Sequence, residues 1–163
     1  MEITFRNNIT ASDIADVRRI TKETGFFNEE EINIAEELAE SSYRDGEEKS
    51  GYSFILAVDI NENKTIGYSC HGRIPCTESS YDLYWIVTDS KNRGKGIGSL
   101  VLKEAENNIR SNGGTSIYIE TSSKELYLPT RSFYLKNNYY LAAEFKDFYA
   151  PNDNKLIYVK YLT

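Results

Sequence analysis

Histidine and cysteine are nearly missing from this sequence. There is one histidine, His71, and there are two cysteines, Cys70 and Cys76, in 163 residues. The cysteines do not stand at C-x-x-C spacing and a single imidazole cannot complete a ligand set, so no metal is expected. Both thiols are read as reduced. Long apolar runs are also missing. No stretch approaches the roughly 20 apolar residues that span a bilayer, and the N-terminus lacks a signal-peptide pattern. No membrane is expected as a partner, and the expected location is cytoplasmic. Basic charge is in deficit, with 19 Lys and Arg against 25 Asp and Glu and a net charge of −6. Binding nucleic acid requires a basic surface to neutralise phosphates, so no nucleic acid is expected as the main partner. Repeats, low-complexity tracts and linkers are absent too. A single domain over 1–163 is expected, and 40% hydrophobic residues suffice for a real core.

What is present is organised around Arg93-Gly94-Lys95-Gly96-Ile97-Gly98. An apolar run, Tyr81 to Thr88, precedes it and reads as a strand; Ser99 to Arg110 follows and reads as a helix. Glycines let the backbone approach an anion closely, and the first N–H groups of a helix have no partner inside it. The positive end of the helix dipole adds to this, as do Lys91, Arg93 and Lys95. The turn is therefore a candidate pyrophosphate site, with an ordinary helix start as the competing reading. A P-loop is excluded because Gly96 follows Lys95, leaving no hydroxyl for Mg²⁺. The dinucleotide fingerprint G-x-G-x-x-G fits Gly94 and Gly96, and Glu120 closes a later apolar run where such folds place an acid. Its third glycine, however, is Ser99, and only residues 99–163 follow, too few for a doubly wound sheet.

The rest of the chain reads in order. Ile3 to Arg6 alternates as a strand, and Thr10 to Asp13 offers caps for a helix to about Glu23. Asn28 caps a second helix with Ile32, Ala35, Leu38 and Ala39 on its apolar face, ending by Asp45-Gly46. Tyr52–Ile60 and Thr65–Gly72 read as a hairpin across Asn61-Glu-Asn63. Ser116–Thr121 is a strand parallel to Tyr81–Thr88, since strand, helix and strand make a right-handed crossover. A short helix over Arg131–Asn137 follows, with Asn138 suited to the left-handed residue that ends it. The last strands are Tyr139–Phe148 and Leu156–Tyr161, joined by Ala150–Asn154.

Two motifs carry a family resemblance. Arg93, Gly96 and Gly98 match the acyl-CoA motif R-x-x-G-x-G, and Phe133-Tyr134-Leu135-Lys136 with Tyr139 looks like the F-Y-x-K-x-G-F segment of a last helix. In both motifs and in element order the whole chain resembles the GNAT family of N-acetyltransferases. Two departures are Asn138 where glycine is usual, and Tyr127-Leu-Pro-Thr130 in place of the common N-x-x-A. The resemblance implies an α/β (α+β) fold: a mixed, mostly antiparallel central sheet with a β-α-β acyl-CoA-binding core and flanking helices. It implies acetyl-CoA as cosubstrate. The backbone N–H groups of Gly94, Lys95, Gly96, Ile97, Gly98 and Ser99, with Arg93, would hold the pyrophosphate, and the strand backbone at Ile86, Val87 and Thr88 would pair with the pantetheine arm.

Acetyl transfer to an amine needs a neutral amine, a donor to the tetrahedral oxyanion and stabilisation of the leaving thiolate. By the resemblance Tyr134 faces the CoA sulfur, and a backbone N–H at Ile86 or Val87 is the oxyanion donor. Glu120 is the first candidate for the base, followed by Tyr84 and His71, with a water chain as another route. The acceptor wall is expected from Phe26, Phe27, Glu29, Tyr84, Asp147, Tyr149 and Asp153, where aromatic rings and carboxylates suit an ammonium group. The expected activity is transfer of an acetyl group to a small or amino-acid-like amine in a ternary complex. The other readings are a catalytically silent CoA-binding sensor or subunit, and an enzyme acting on protein amines. A homodimer is a further expectation, since many members of the family pair through their C-terminal strands.

Overall fold

A computed structural model describes all residues, 1–163. The elements in chain order are β1 (Ile3–Arg6), α1 (Ala11–Glu23), α2 (Glu29–Ser50), β2 (Ser53–Asp59), β3 (Lys64–Arg73), β4 (Ser80–Thr88), α3 (Ile97–Ser111), β5 (Ser116–Ser122), α4 (Leu128–Lys136), β6 (Tyr140–Ala150) and β7 (Asp153–Tyr161). Short 3₁₀ turns cover Ser90–Asn92 and Glu125–Tyr127. The strands form a seven-stranded sheet in the order β1-β2-β3-β4-β5-β7-β6. This is the mixed, mostly antiparallel α/β fold expected. β2 and β3 pair antiparallel as the predicted hairpin, and β4 and β5 are parallel.

The chain divides into two compact units. The first holds residues 1–72 and 84–108. Its core is built on β2, whose side chains alternate between two buried layers. Phe54, Leu56 and Val58 join Val17 and Ile20 of α1, Ala35 and Ala39 of α2, and Tyr68 and Cys70 of β3. Ile55 and Ala57 join Ile66 and the α3 residues Ile97, Val101 and Ala105. The 4-residue spacing along α3 places those three on one face. Each fully buried aliphatic chain contributes about 1.5–3 kcal/mol of transfer free energy.

α1 starts where the sequence places it. The Asp13 carboxylate accepts from the Thr10 backbone N–H at 2.8 Å, the Thr10 hydroxyl at 2.7 Å, Thr65 at 2.9 Å and the Arg6 guanidinium at 2.8 and 3.1 Å. Burial alone would raise this carboxyl, but those donors outweigh it and hold it below its ordinary value. α2 corrects an expectation. Gly46 breaks the helix at φ 79°, ψ 166°, yet a further turn forms and ends at Ser50, with Gly51 left-handed at φ 78°.

The second unit holds residues 73–83 and 109–163. β7 is its centre, antiparallel to both β5 and β6. Ile117 and Ile119 of β5, Leu156, Tyr158 and Val159 of β7, and Tyr134 of α4 are buried. α4 begins at Leu128, earlier than Arg131, with Pro129 in its first turn. Asn138 is left-handed at φ 66°, as the sequence suggested. The last connection is tighter than expected, because β6 runs to Ala150 and β7 starts at Asp153.

Candidate functional site

In the first unit the glycine turn is exposed and firmly held at both ends. At one end, the Asp89 backbone N–H donates to Ile66 O at 2.9 Å. The buried Asp89 carboxylate accepts from the backbone N–H of Asn92 at 2.9 Å and from its side chain at 2.7 Å. Lys95 Nζ donates to Asn92 Oδ1 at 3.0 Å. The polar stretch Asp89–Asn92 between strand and turn is therefore the brace of the turn. At the other end Ile97 is buried in the core. Between them Gly94 and Gly96 take φ values of 74° and 80°, which residues with a Cβ rarely adopt. α3 then starts, with Leu100 N bonded to Gly96 O at 3.2 Å. The first-turn N–H groups of Ile97, Gly98 and Ser99 have no acceptor within the helix. Lys91, Arg93 and Lys95 stay on the exposed surface.

Arg93 does something the sequence did not show. Its Nη2 donates to Thr24 O at 3.1 Å, and its guanidinium lies 5.0 Å from the centroid of the Phe26 ring. Thr24 and Phe26 belong to the loop between α1 and α2. In the same loop Phe27 packs edge-on against Trp85 of β4 at 4.9 Å. Tyr84, the preceding residue of β4, packs edge-on against Tyr52 at 5.7 Å. Two of the acceptor-wall candidates, Phe26 and Phe27, thus share one loop. Glu29 is engaged by Arg18 Nη2 at 2.5 Å and belongs to an ion-pair network with Glu36. His71 is fully buried, with Nε2 2.9 Å from Asn108 Oδ1, and burial holds its imidazole below the ordinary value although Asn108 acts the other way. Cys70 is buried and its thiol is pushed up, consistent with a core role, whereas Cys76 is exposed.

In the second unit the parallel ladder between β4 and β5 has three rungs, Ser80–Ser116, Tyr81–Ile117 and Asp82–Tyr118. It stops there, so the β4 backbone at Ile86, Val87 and Thr88 lies beyond it. Tyr134 is buried among the rings of Phe133, Tyr139 and Tyr158 at centroid distances of 5.6, 6.0 and 5.9 Å. Burial pushes its phenol well up from 10.0. Glu120 is half exposed and its Oε1 lies 2.8 Å from Lys155 Nζ. Asp82 shares this neighbourhood. Burial and then the charge of Glu120 push its carboxyl up, with Lys155 acting against them. Asp82 is not among the residues singled out from the sequence; its place opposite Tyr118, two residues before Glu120, appears only in the strand register.

Asp147 and Tyr149 lie on exposed β6. Asp147 takes φ 52°, and its Oδ1 accepts from Asn152 N at 2.8 Å. Tyr149 stacks edge-on against Phe148 at 5.1 Å. Asp153 is a correction. Expected on the acceptor wall, it is instead buried, accepts from the Ser122 hydroxyl and lies 3.6 Å from Lys124 Nζ, so it ties β7 to the end of β5.

A braced glycine turn opening a helix, within this mixed sheet, is the geometry of an anion-binding turn. A family model for the acetyltransferase (GNAT) domain matches residues 50–141. A Desulfovibrio desulfuricans protein assigned to the GNAT family of acetyltransferases is 35% identical over 99% of this chain and 100% of its own, with a TM-score of 0.96. The chain belongs to the GNAT family and is an acetyltransferase. More distant likenesses show the fold alone. An aminoglycoside 6′-N-acetyltransferase solved with coenzyme A is 16% identical, covering 99% of this chain and 97% of its own, at TM-score 0.74. The ribosomal-protein-S18-alanine N-acetyltransferase from Escherichia coli is 11% identical, covering 99% and 95%, at TM-score 0.76. No curated protein matches the chain by sequence. No helix is long and apolar enough to cross a membrane.

Proposed function

We propose that the chain transfers the acetyl group of acetyl-CoA directly to the amine of a small or amino-acid-like acceptor, in one ternary complex and within one catalytic domain. The observation that carries the cofactor reading is the braced turn from Arg93 to Ser99, with Gly94 and Gly96 left-handed and a helix starting behind them. A pyrophosphate there would accept from the backbone N–H groups, and Lys95 would add charge. The backbone of Ile86–Thr88, beyond the last rung to β5, would pair with the pantetheine arm, and an N–H at Ile86 or Val87 would face the oxyanion. The related aminoglycoside enzyme solved with coenzyme A supports the same cosubstrate.

Tyr134 would donate a hydrogen bond to the departing thiolate. Its raised phenol keeps its proton, so it stabilises the sulfur charge more by hydrogen bonding than by complete transfer. For the proton of the acceptor ammonium we name Glu120 and Asp82. Glu120 is already engaged by Lys155, whereas Asp82, whose carboxyl burial and the charge of Glu120 push up, holds a proton more readily than an ordinary carboxylate. In the first unit Phe26, Phe27, Tyr84 and Glu29 are the residues we propose for contact with the acceptor, and in the second unit Tyr149 and Asp147.

Thermal shift with acetyl-CoA, CoA and NADH tests the cofactor. A ligand at 100 times its Kd stabilises by about 2.7 kcal/mol, roughly 5–10 °C for a chain of this size. The expected result is a shift with both CoA forms and none with NADH, followed by thiol release in an amine screen. No shift with either CoA form refutes the reading. CoA binding without thiol release from any small amine or peptide N-terminus would favour the silent sensor.

A further inference from the structure

We propose that Arg93 is a positioning residue that pins the loop between α1 and α2 to the glycine turn, so that cofactor in the turn orders the loop that receives the acceptor. This rests on the cofactor reading above and adds a coupling between its two halves.

The loop is short. Gly25 is left-handed at φ 71°, and its N–H donates to Lys22 O at 3.2 Å. The Thr24 hydroxyl donates to Thr21 O at 2.8 Å and accepts from Phe26 N at 3.1 Å. These bonds close the end of α1 locally. Further contacts tie the loop to other elements. Phe27 meets Trp85 on β4, and Phe26 with the Thr24 carbonyl meets Arg93 in the turn. The second is a bond across 69 positions of sequence. Thr24 O belongs to the last turn of α1, the negative end of its dipole, where a cation is favoured. The guanidinium satisfies this carbonyl while its flat face covers Phe26, a combination lysine cannot reproduce.

A guanidinium carries five N–H donors in one plane, so binding Thr24 O does not exhaust it. A pyrophosphate seated on the N–H groups from Gly94 to Ser99 would bring negative charge beside the same side chain. That charge would restrict Arg93 further, and through it Thr24 and Phe26. By reciprocity, a loop held in place improves cofactor affinity by the same factor. Arg93 on this reading contributes to acceptor binding without touching the acceptor.

Hydrogen–deuterium exchange on the full chain, with and without saturating CoA, tests this in wild type, Arg93→Ala and Arg93→Lys. Arg93 is exposed, so neither substitution disturbs the core. In wild type, CoA should slow exchange in residues 94–100 and also in 24–28. In both variants exchange at 24–28 without CoA should rise about fivefold, the loss of one cation–π contact and one hydrogen bond. The slowing by CoA should then disappear from 24–28 while persisting at 94–100. A purely structural contact would raise the basal rate but leave the CoA response of the loop intact, and that result overturns the proposal. So does a loop indifferent to both substitutions. If CoA fails to protect 94–100 in wild type, the cofactor reading itself falls, which is a distinct outcome from protection of the turn with an indifferent loop.

Discussion

Tyr134 is enclosed by three aromatic rings and sits one helical turn before the left-handed Asn138 that ends α4. The phenol is thus fixed in direction, and burial raises it far enough that it stays protonated across the working range of an amine acetyltransferase. Two consequences follow. Replacing it with phenylalanine keeps the ring packing and removes only the donor, so kcat should fall about 100-fold while CoA affinity is retained. The wild-type rate should also show no loss from phenol ionisation up to its ordinary value of 10.0, because the folded group titrates above it. Steady-state rates of both proteins from pH 7 to 10 check both statements. A variant as fast as wild type would return Tyr134 to a packing role and favour the silent module.

Among the elements, the strand–turn–helix unit was the most legible from sequence, because its signals are local. Glycines with positive φ, a buried residue every fourth position in α3 and an apolar strand each declare themselves within a few residues. What was not legible depends on distant partners. Asp89 reads as one polar residue among four, and its role appears only when Ile66 O receives its N–H and its carboxylate caps the Asn92 turn. Asp153 reads as an acceptor-wall carboxylate, yet it is buried and engaged by Ser122 and Lys124, 31 and 29 positions earlier. Gly46 reads as a helix stop, and it is a break, but the residues after it have enough helical tendency to form one more turn before Gly51. Asp89 also gives the prediction that belongs to this scale. Asp89→Ala removes a buried cap, so the protein should lose about 1–2 kcal/mol of stability. Because the cap holds the turn, CoA affinity should weaken about tenfold, a 1.4 kcal/mol effect. Asp89→Asn keeps an acceptor oxygen and should recover most of both. Melting curves and calorimetric CoA titrations measure the two effects, and unchanged CoA affinity in Asp89→Ala would show that the turn holds its shape without the brace.

For the molecule as a whole, the feature that composition could not reveal is where the aromatic residues lie. The sequence has 13 tyrosines and 7 phenylalanines, too many to leave unexplained in an acidic chain of this length. Several are core, such as Tyr68 and Tyr134, but β6 is exposed along nearly its whole length. Tyr140, Leu141, Phe145, Phe148 and Tyr149, with Tyr161 of β7, are each about half exposed. β6 is also the last strand of the sheet, so one side of its backbone faces no neighbouring strand of this chain. A long, apolar edge strand of this kind invites another strand, and we propose a second copy of the chain as its partner. Charge pattern supports that choice: in an antiparallel self-pair centred on Phe145, Glu144 of one copy stands opposite Lys146 of the other. Light scattering after gel filtration at tens of micromolar should therefore give twice the 18.7 kDa of one chain. The double substitution Leu141→Glu with Phe145→Glu should return it to one chain, since it removes apolar contact and sets like charges across the pair. These positions lie outside the glycine turn, so the thermal shift with CoA should survive in the variant and show that it is folded. A wild-type mass of one chain would mean that the β6 surface serves something other than self-association, and the acceptor wall, which already claims Asp147 and Tyr149, would be the first place to look.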